Sequence, residues 1–532
     1  MPDFNLGDRL RRHVTMAVGV FCLMTVAGHL PTLLDLAAQA DARSHHKIPT
    51  VGDDLEYQLY ATNILSGFGY NSFFNQPLEA YNLDLDSPWG REMTARYAKD
   101  GPVPPEERGW FFYRTPGVPL LLAGVYAIFG NRSIVSRHLQ VVLAWLAGLL
   151  TVILGMQLAR GWGAVAGGLA ALHFLHYDPA MESGFYRVLS EIPAAFFVVL
   201  FGVLLVQAHR TRQWPPLVAA ALALAGLFFV RGNLVPAGVF VILYLITQRF
   251  TRGQVAVFAA LSLLPALAWC GFASVQSGRL MGMTMQGRDA LPACNNVTVL
   301  EGIGPNRLGQ GVWQPQAPVY DDEGNVVGMV SNEAGPGEDP VAKTLAFWRE
   351  NLAQVPRLFY VKLRAGSWYM FPGVRRFFLP RGIFLVGVSF LLLAIGFRRR
   401  RRLARWPSAW ILGTQITLVV LLLLLWQRLE FWQVLIGWGL TALLALLAPY
   451  GDRYAPPFPS PTWFLALVMA HFLITIIFIG HRYYWPLNPP LMLFGLLGLF
   501  MLVRELWHTR RMLAAALVAL LLLARILGWG GI

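Results

Sequence analysis

Residues 190–212 read SEIPAAFFVVLFGVLLVQAHRTR, and this stretch decides what kind of chain it belongs to. No charge falls between Ile192 and Ala208; Glu191 stands at one end, and His209, Arg210 and Arg212 stand at the other. An apolar run of about 17–25 residues is what a helix needs to cross the hydrocarbon core of a bilayer. Lys and Arg gather at the cytoplasmic ends of such helices. The stretch therefore reads as a span with Glu191 at its outer mouth and Arg210 inside.

The same pattern repeats outward in both directions. The chain has 532 residues, 56% hydrophobic and only 14% charged, with a mean hydropathy of +0.50. That composition excludes a soluble globular surface, a disordered chain, a collagen and a coiled coil. The net charge of +14, from 43 Lys and Arg against 29 Asp and Glu, would point to nucleic acid in a soluble protein. Here the basic residues fall in clusters between apolar runs: Arg9, Arg11 and Arg12; Arg160; Arg210 and Arg212; Arg249 and Arg252; Arg398 to Arg402 with Arg405; Arg453; and Arg504, Arg510 and Arg511. They report topology rather than a nucleic-acid partner.

The expected fold is an all-α polytopic bundle of about thirteen spans. They fall at 14–36, 134–158, 161–178, 191–208, 216–231, 234–248, 255–275, 381–397, 407–426, 429–447, 461–480, 487–503 and 512–528. The N-terminus is inside and the C-terminus outside. The first run lacks a cleavage-site pattern and is expected to stay as a helix. Pro116–Phe129 is too short to cross and is placed against the outer leaflet. The expected organisation is an N-terminal membrane module at 1–275, an outer loop at 276–380 and C-terminal spans at 381–532, with another outer loop at about 37–133 inside the first module. Within 276–380, Gly302–Pro305, Asp321–Asn325 and Asn332–Pro340 read as turns between short elements. Lys343–Met370, carrying Trp348, Phe359, Tyr360, Trp368 and Tyr369, reads as an amphipathic interfacial helix.

Chemistry is sought in the outer loops. Cys22, Cys270 and Cys294 form no disulfide framework. The sequence contains no zinc, nucleotide-triphosphatase or serine-hydrolase motif. It does contain Gly52-Asp53-Asp54-Leu55-Glu56-Tyr57, opening a short helix expected over Asp53–Gly67 just outside the first span. Adjacent acids at a helix N-terminus are also what the helix dipole alone favours. Four further groups follow: Tyr113-Arg114-Thr115-Pro116-Gly117, with Arg132 and Arg137 beyond it; Arg187-Val188-Leu189-Ser190-Glu191; Arg231-Gly232-Asn233; and His481-Arg482-Tyr483-Tyr484-Trp485-Pro486. In the expected topology all face one compartment. Snorkelling accounts for any one arginine, but carboxylates and basic groups gathered at one membrane level are the mark of a functional cavity.

This order of motifs resembles the GT-C glycosyltransferases, in particular the branch of the protein O-mannosyltransferases and lipid A aminoarabinose transferases. It comprises an acidic pair, Arg-x-Pro-Gly-x-Pro-Leu, Ser-Glu-x-Pro, Arg-Gly-Asn and Arg-Tyr-Tyr-x-Pro. The resemblance covers about 10–250 and resumes at about 380–505. It implies a sugar donor carried on a polyprenyl phosphate and transfer to an acceptor on the outer face. By that resemblance Asp53 is the general base, Asp54 or Glu56 assists, and Glu191 is the second acidic position. Arg114, Arg231, His481, Arg482 and Tyr483 are implied on the donor phosphate, with Glu56 and Tyr57 accessory. The aminoarabinose branch has Lys-Pro-Pro where this chain has Arg114-Thr115-Pro116.

Elementary chemistry asks for the same groups. Displacing a polyprenyl phosphate turns a singly charged diester into a dianion, so cations placed there stabilise the transition state more than the ground state. The acceptor hydroxyl loses its proton to a carboxylate, and one base without a covalent intermediate gives inversion. Asp84-Leu85-Asp86 is a formal DxD triplet, a weak metal candidate. No cofactor is expected, with a divalent metal as the alternative. Two other readings stay open: an oligosaccharide ligase or polymerase, which the large 276–380 loop permits, and a lipid-linked sugar transporter, which would place polar residues along the spans. The acceptor, whether lipid, glycan or protein, is not specified by the residues. The composition suits a bacterial inner membrane, with the site facing the periplasm.

Overall fold

The computed structural model describes residues 6–49, 52–102, 111–296 apart from 279, 299, 316–320, 326–331, 338–359, 362 and parts of 486–497. The chain divides into two units, one of Met1–Gly238 with Arg252–Met285, the other of Val239–Thr251 with Gln286–Ile532.

The first unit is helical. Helix α1 (Leu6–Gly28) gives way at His29 to α2 (Leu30–Arg43), whose Pro31 occupies the first turn, where a missing N–H is harmless. The expected span ended near 36. The helix runs on to Arg43 because Leu33, Ala37 and Ala40 pack inward and Asp41 is held at its end. Helix α3 (Gly52–Leu65) follows, then a 3-10 turn at Leu78–Tyr81 and α4 (Pro88–Asp100), whose Ser87 accepts from the Gly90 N–H as N-cap. Next come α5 (Gly117–Phe129), α6 (Ser133–Tyr177), α7 (Pro179–Tyr186), α8 (Glu191–Thr211) and α9 (Trp214–Val230). Helix α10 (Ala237–Thr247) carries the chain into the second unit, and α11 (Arg252–Ser277) returns to the first.

The 45 helical residues of α6 are not one straight rod. A Cβ on Gly163 would lie 1.8 Å from the Gly155 carbonyl oxygen, one on Gly167 would lie 2.7 Å from the Val152 Cα, and one on Gly148 would lie 3.2 Å from Leu175. Residues so far apart along one helix meet only if it doubles back, and the fold falls near Ala159, where the first apolar stretch ends. The two arms match the expected spans 134–158 and 161–178, and glycine lets their backbones touch. Helix α1 lies along both arms: Gly19 faces Met156 and Gly148 faces Val26 on the first, while Gly161 faces Thr15 and Gly168 faces Cys22 on the second.

The alternation read from the basic clusters appears in the packing. At one end of the unit Arg210 donates to the Gln157 carbonyl, and Gln254 Nε2 donates to the Arg212 carbonyl at 2.9 Å. At the other end Gln140 Nε2 donates to the Leu189 carbonyl at 2.9 Å and Ser133 Oγ to Asp41 at 2.5 Å. Helix α5 lies across this second end. Thr115 Oγ1 donates to the Val230 carbonyl at 2.9 Å just before α5 begins, and Asn131 Nδ2 donates to the Ala80 carbonyl at 3.0 Å just after it ends. Its 13 residues span only about 20 Å, and both termini stay at one level. It does not reverse the direction of later helices.

Among the described residues four helices, in His13–Arg43, Ser133–Ala159, Glu191–Thr211 and Arg252–Ser277, are long and apolar enough to cross a membrane, and Gly117–Phe129, Trp214–Val230 and Gly232–Thr247 are shorter apolar helices. These accord with a membrane protein. The expected spans from 381 to 480 and 512–528 lie outside the described residues, and 487–503 is described only in part.

In the second unit α12 (Gln286–Cys294) packs with α13 (Pro340–Glu350), and Trp348 Nε1 donates to Asn295 Oδ1 at 3.1 Å. The expected helix over Lys343–Met370 is interrupted. Helix α13 closes at Asn351, a 3-10 turn covers Leu352–Gln354, and helical residues resume at 355–359. Pro356 sits in the first turn of the new piece, where it is tolerated, and cannot supply the N–H needed to continue the old one. The described residues also add strand to the all-α expectation, in an antiparallel hairpin of β1 (Gln316–Tyr320) and β2 (Val326–Ser331) flanking the turn expected at Asp321–Asn325.

Candidate functional site

The site lies at the second end of the first unit, where α3, the segment before α5, the α7–α8 junction and the end of α9 converge. Helical spacing divides the acids of α3. Asp53, Glu56 and Tyr57 fall three and four residues apart on one face, while Asp54 and Gln58 share another. The two faces meet different partners.

On the first face Arg114 Nη2 donates to Asp53 Oδ1 at 2.7 Å, and Arg114 Nε donates to Glu56 Oε2. The guanidinium carbon lies 5.6 Å from the Tyr57 ring centre and 5.5 Å from that of Tyr113, within cation–π range. The backbone of this arginine is fixed as well: Tyr70 donates to the Arg114 carbonyl at 2.8 Å, and the Tyr113 N–H donates to Tyr60 at 3.0 Å. Burial alone would lower the Arg114 pKa, but Asp53 and Glu56 more than offset it and raise it. Burial raises the Glu56 pKa against the pull of Arg114.

On the second face Asp54 is fully buried. It accepts from Arg187 Nε at 2.7 Å and from the Val188 N–H. Burial lifts its pKa from 3.8 to about 6, opposed by Arg187. Gln58, one turn on, donates to the Tyr81 carbonyl at 2.7 Å and to Asn131 at 2.6 Å, and accepts from Tyr126 at 2.8 Å. Gln58 thus ties α3 to α5.

Glu191 opens α8, and its Oε1 lies 2.6 Å from Arg231 Nη2 at the C-terminal end of α9, with both side chains buried. Tyr57 links this pair to the first face. Its hydroxyl meets Ser190, and burial pushes its pKa up to about 12.

The structure therefore brings Asp53, Asp54, Glu56, Tyr57, Arg114, Glu191 and Arg231 to one end of one unit. It engages Arg114 with two carboxylates and Arg231 with a third. His481, Arg482 and Tyr483 lie outside the described residues. Asp84 and Asp86 occupy the turn into α4, where Ser87 Oγ donates to the Asp84 carbonyl at 2.9 Å and Arg91 donates to that of Asp86. Among the described residues no three His, Cys, Asp or Glu side chains converge as a metal cage.

Sequence reasoning missed two groups. Asp41 was not singled out, yet it is buried 3.0 Å from Arg137 Nε and also accepts from Ser133 at 2.5 Å, with His46 Nδ1 at 2.6 Å. Arg137 further donates to the Phe185 carbonyl at 2.8 Å and to Ser44 Oγ at 2.6 Å, clamping α2, α6 and the end of α7 around the site. Arg187, within the Arg187–Glu191 motif, is the second, paired with Asp54 at 2.7 Å. Its signal was its place four residues before Glu191 in a polar gap between apolar runs.

Comparison with protein-family models, with characterised proteins and with solved structures returns no match.

Proposed function

We propose that this chain is a membrane glycosyltransferase that moves a sugar from a polyprenyl-phosphate donor to an acceptor hydroxyl, with Asp53 as general base. The observation that carries the proposal is the division of labour on α3. Asp54 is sealed in the interior, whereas the Asp53 side chain keeps 13% of its surface and is aimed by Arg114 at 2.7 Å. A base must reach its substrate while being held in orientation, and of the two adjacent acids Asp53 meets both demands.

In the proposed step the acceptor oxygen attacks the anomeric carbon as its proton passes to Asp53. The bond from the anomeric carbon to the phosphate oxygen breaks, and polyprenyl phosphate leaves as a dianion. Attack opposite the leaving group inverts the anomeric centre. Arg114 holds Asp53 in orientation. Glu56, sharing Arg114, and Tyr57, beside Ser190, flank it. No metal is needed in this scheme, because arginine side chains meet the developing charge. The composition suits a bacterial inner membrane with the site at its periplasmic face, where sugar-phosphate lipids and envelope acceptors meet.

The test is sugar transfer from a panel of radiolabelled polyprenyl-phosphate sugars in membranes carrying the wild-type chain or Asp53→Asn. Loss of a general base typically costs about 10²–10⁴ in rate. Donor consumption that is equal in the two membranes would refute the assignment.

A further inference from the structure

Three arginines at this end of the unit differ in what remains of their hydrogen-bonding capacity. Arg114 is buried between Asp53 and Glu56, and Arg231 is buried against Glu191. Arg187 is different. Its Nε donates to Asp54 at 2.7 Å, its side chain keeps 35% of its surface, and among the described residues this ion pair is its one polar contact. A guanidinium offers five N–H donors in a rigid fork. With the Nε–H given to Asp54, the four N–H bonds of the terminal nitrogens are left for something that is not part of the described protein.

The partner of Arg187 also fixes its direction. Asp54 is fully buried and is itself anchored by the Val188 N–H, on the residue next to Arg187. The guanidinium plane is held from behind, so less freedom is lost when an oxyanion meets the fork. The three residues between Arg187 and Glu191 place this fork at the junction that also delivers Ser190 and Glu191 to the site. Planar recognition of phosphate oxygens is what a pre-oriented arginine does better than any other side chain.

We propose that Arg187 is the phosphate-binding residue of the site, receiving the phosphate headgroup of a polyprenyl lipid, and that Asp54 is its positioning residue. This rests on the glycosyltransferase reading. It departs from the sequence expectation, which put Arg114 and Arg231 on the phosphate and Asp54 beside the base. As the diester becomes a dianion on transfer, the donors of Arg187 strengthen their hold on the leaving oxygens, which is the difference between ground and transition state that accelerates a reaction.

The experiment is binding, not turnover. Native mass spectrometry of the full chain in detergent would compare undecaprenyl phosphate, undecaprenol and inorganic phosphate. The wild-type chain should hold undecaprenyl phosphate at least tenfold more tightly than undecaprenol. Arg187→Gln should lose at least tenfold on the phosphate while leaving undecaprenol unchanged, and Arg187→Lys, which keeps the charge and loses the fork, should fall between. Because Arg187→Gln leaves Asp54 buried without its partner, the paired variant Asp54→Asn with Arg187→Gln removes both charges together and should show the same loss in a monodisperse protein. Undiminished binding in the paired variant overturns the proposal and leaves the transferase reading standing. A wild-type chain that does not distinguish the phosphate from the alcohol overturns both. Arg187-dependent binding of inorganic phosphate as tight as that of the lipid overturns the headgroup assignment.

Discussion

Replacing Glu191 by Gln removes the charge that faces Arg231 across 2.6 Å, in a pair whose side chains retain 2% and 6% of their surface. With charge centres about 4 Å apart and an effective dielectric near 20, the lost attraction is about 4 kcal/mol. Removal of one partner from a buried pair costs about 3–5 kcal/mol. The amide keeps an oxygen that can still accept from Nη2, which puts the expected loss near the lower end, about 3 kcal/mol. Arg231→Gln should cost somewhat less, because Glu191 sits in the first turn of α8, where the helix dipole favours a carboxylate. The double variant carries no buried charge and should be more stable than the two single losses added together, with a coupling of at least ~1.5 kcal/mol. Thermal unfolding in detergent, followed by fluorescence-detected gel filtration, reads these differences at roughly 2 °C per kcal/mol, or about 6 °C for Glu191→Gln. Single variants within 1 °C of wild type, or losses that simply add, would refute the claim that this pair fastens α8 to α9. Glu191 would then be available to a substrate.

Asp54 titrates near 6 in the fold against an ordinary 3.8 because it is buried, so the folded state holds its proton more tightly than the unfolded chain does. Its stabilising contribution is complete below about pH 4 and is lost as pH rises through about 6, on the order of 3 kcal/mol in all; Asp54→Asn should flatten the melting temperature over that window, and an unchanged slope would contradict this. Gly163→Val places a branched side chain where even a Cβ would meet the Gly155 carbonyl at 1.8 Å, whereas nothing lies within 4 Å of a Cβ on Gly124. The first substitution should abolish monodisperse protein and Gly124→Ala should be neutral or stabilising by up to about 1 kcal/mol, an ordering that gel filtration checks directly. Sugar transfer should survive EDTA and the double change Asp84→Asn with Asp86→Asn; activity lost to EDTA and restored by Mg²⁺ or Mn²⁺ would return those two aspartates to the site.

Much of the fold was legible because the bilayer imposes a one-dimensional rule: apolar length sets a span, and basic residues mark one side. That rule located the two arms of α6 on either side of Arg160, the helix of α8 between Glu191 and Arg210, and the short apolar helix within Pro116–Phe129. It also placed α3 close to its observed start, since Asp53 and Asp54 mark a helix N-terminus whatever else they do. Local rules were weaker where breaks are small. Pro31 and Pro356 both begin new helical pieces inside what hydropathy and amphipathicity read as single elements, and the hairpin at 316–331 carries too short a pattern to announce itself.

What hydropathy could not give was partnership. The sequence by itself determined which residues carry charge at the ends of the apolar helices, because burying a lone charge in hydrocarbon is costly and confines such residues to those ends. Only the tertiary structure decided that Asp53 meets Arg114, Asp54 meets Arg187, Glu191 meets Arg231 and Asp41 meets Arg137. Three of these four pairs join positions 61 to 133 residues apart in the chain, and no spacing rule reaches that far. The physical reason is that an ion pair depends on a few ångströms of approach and on the direction of a guanidinium edge. Those are set by how α2, α3, α6, α8 and α9 pack, not by where their residues fall in the sequence.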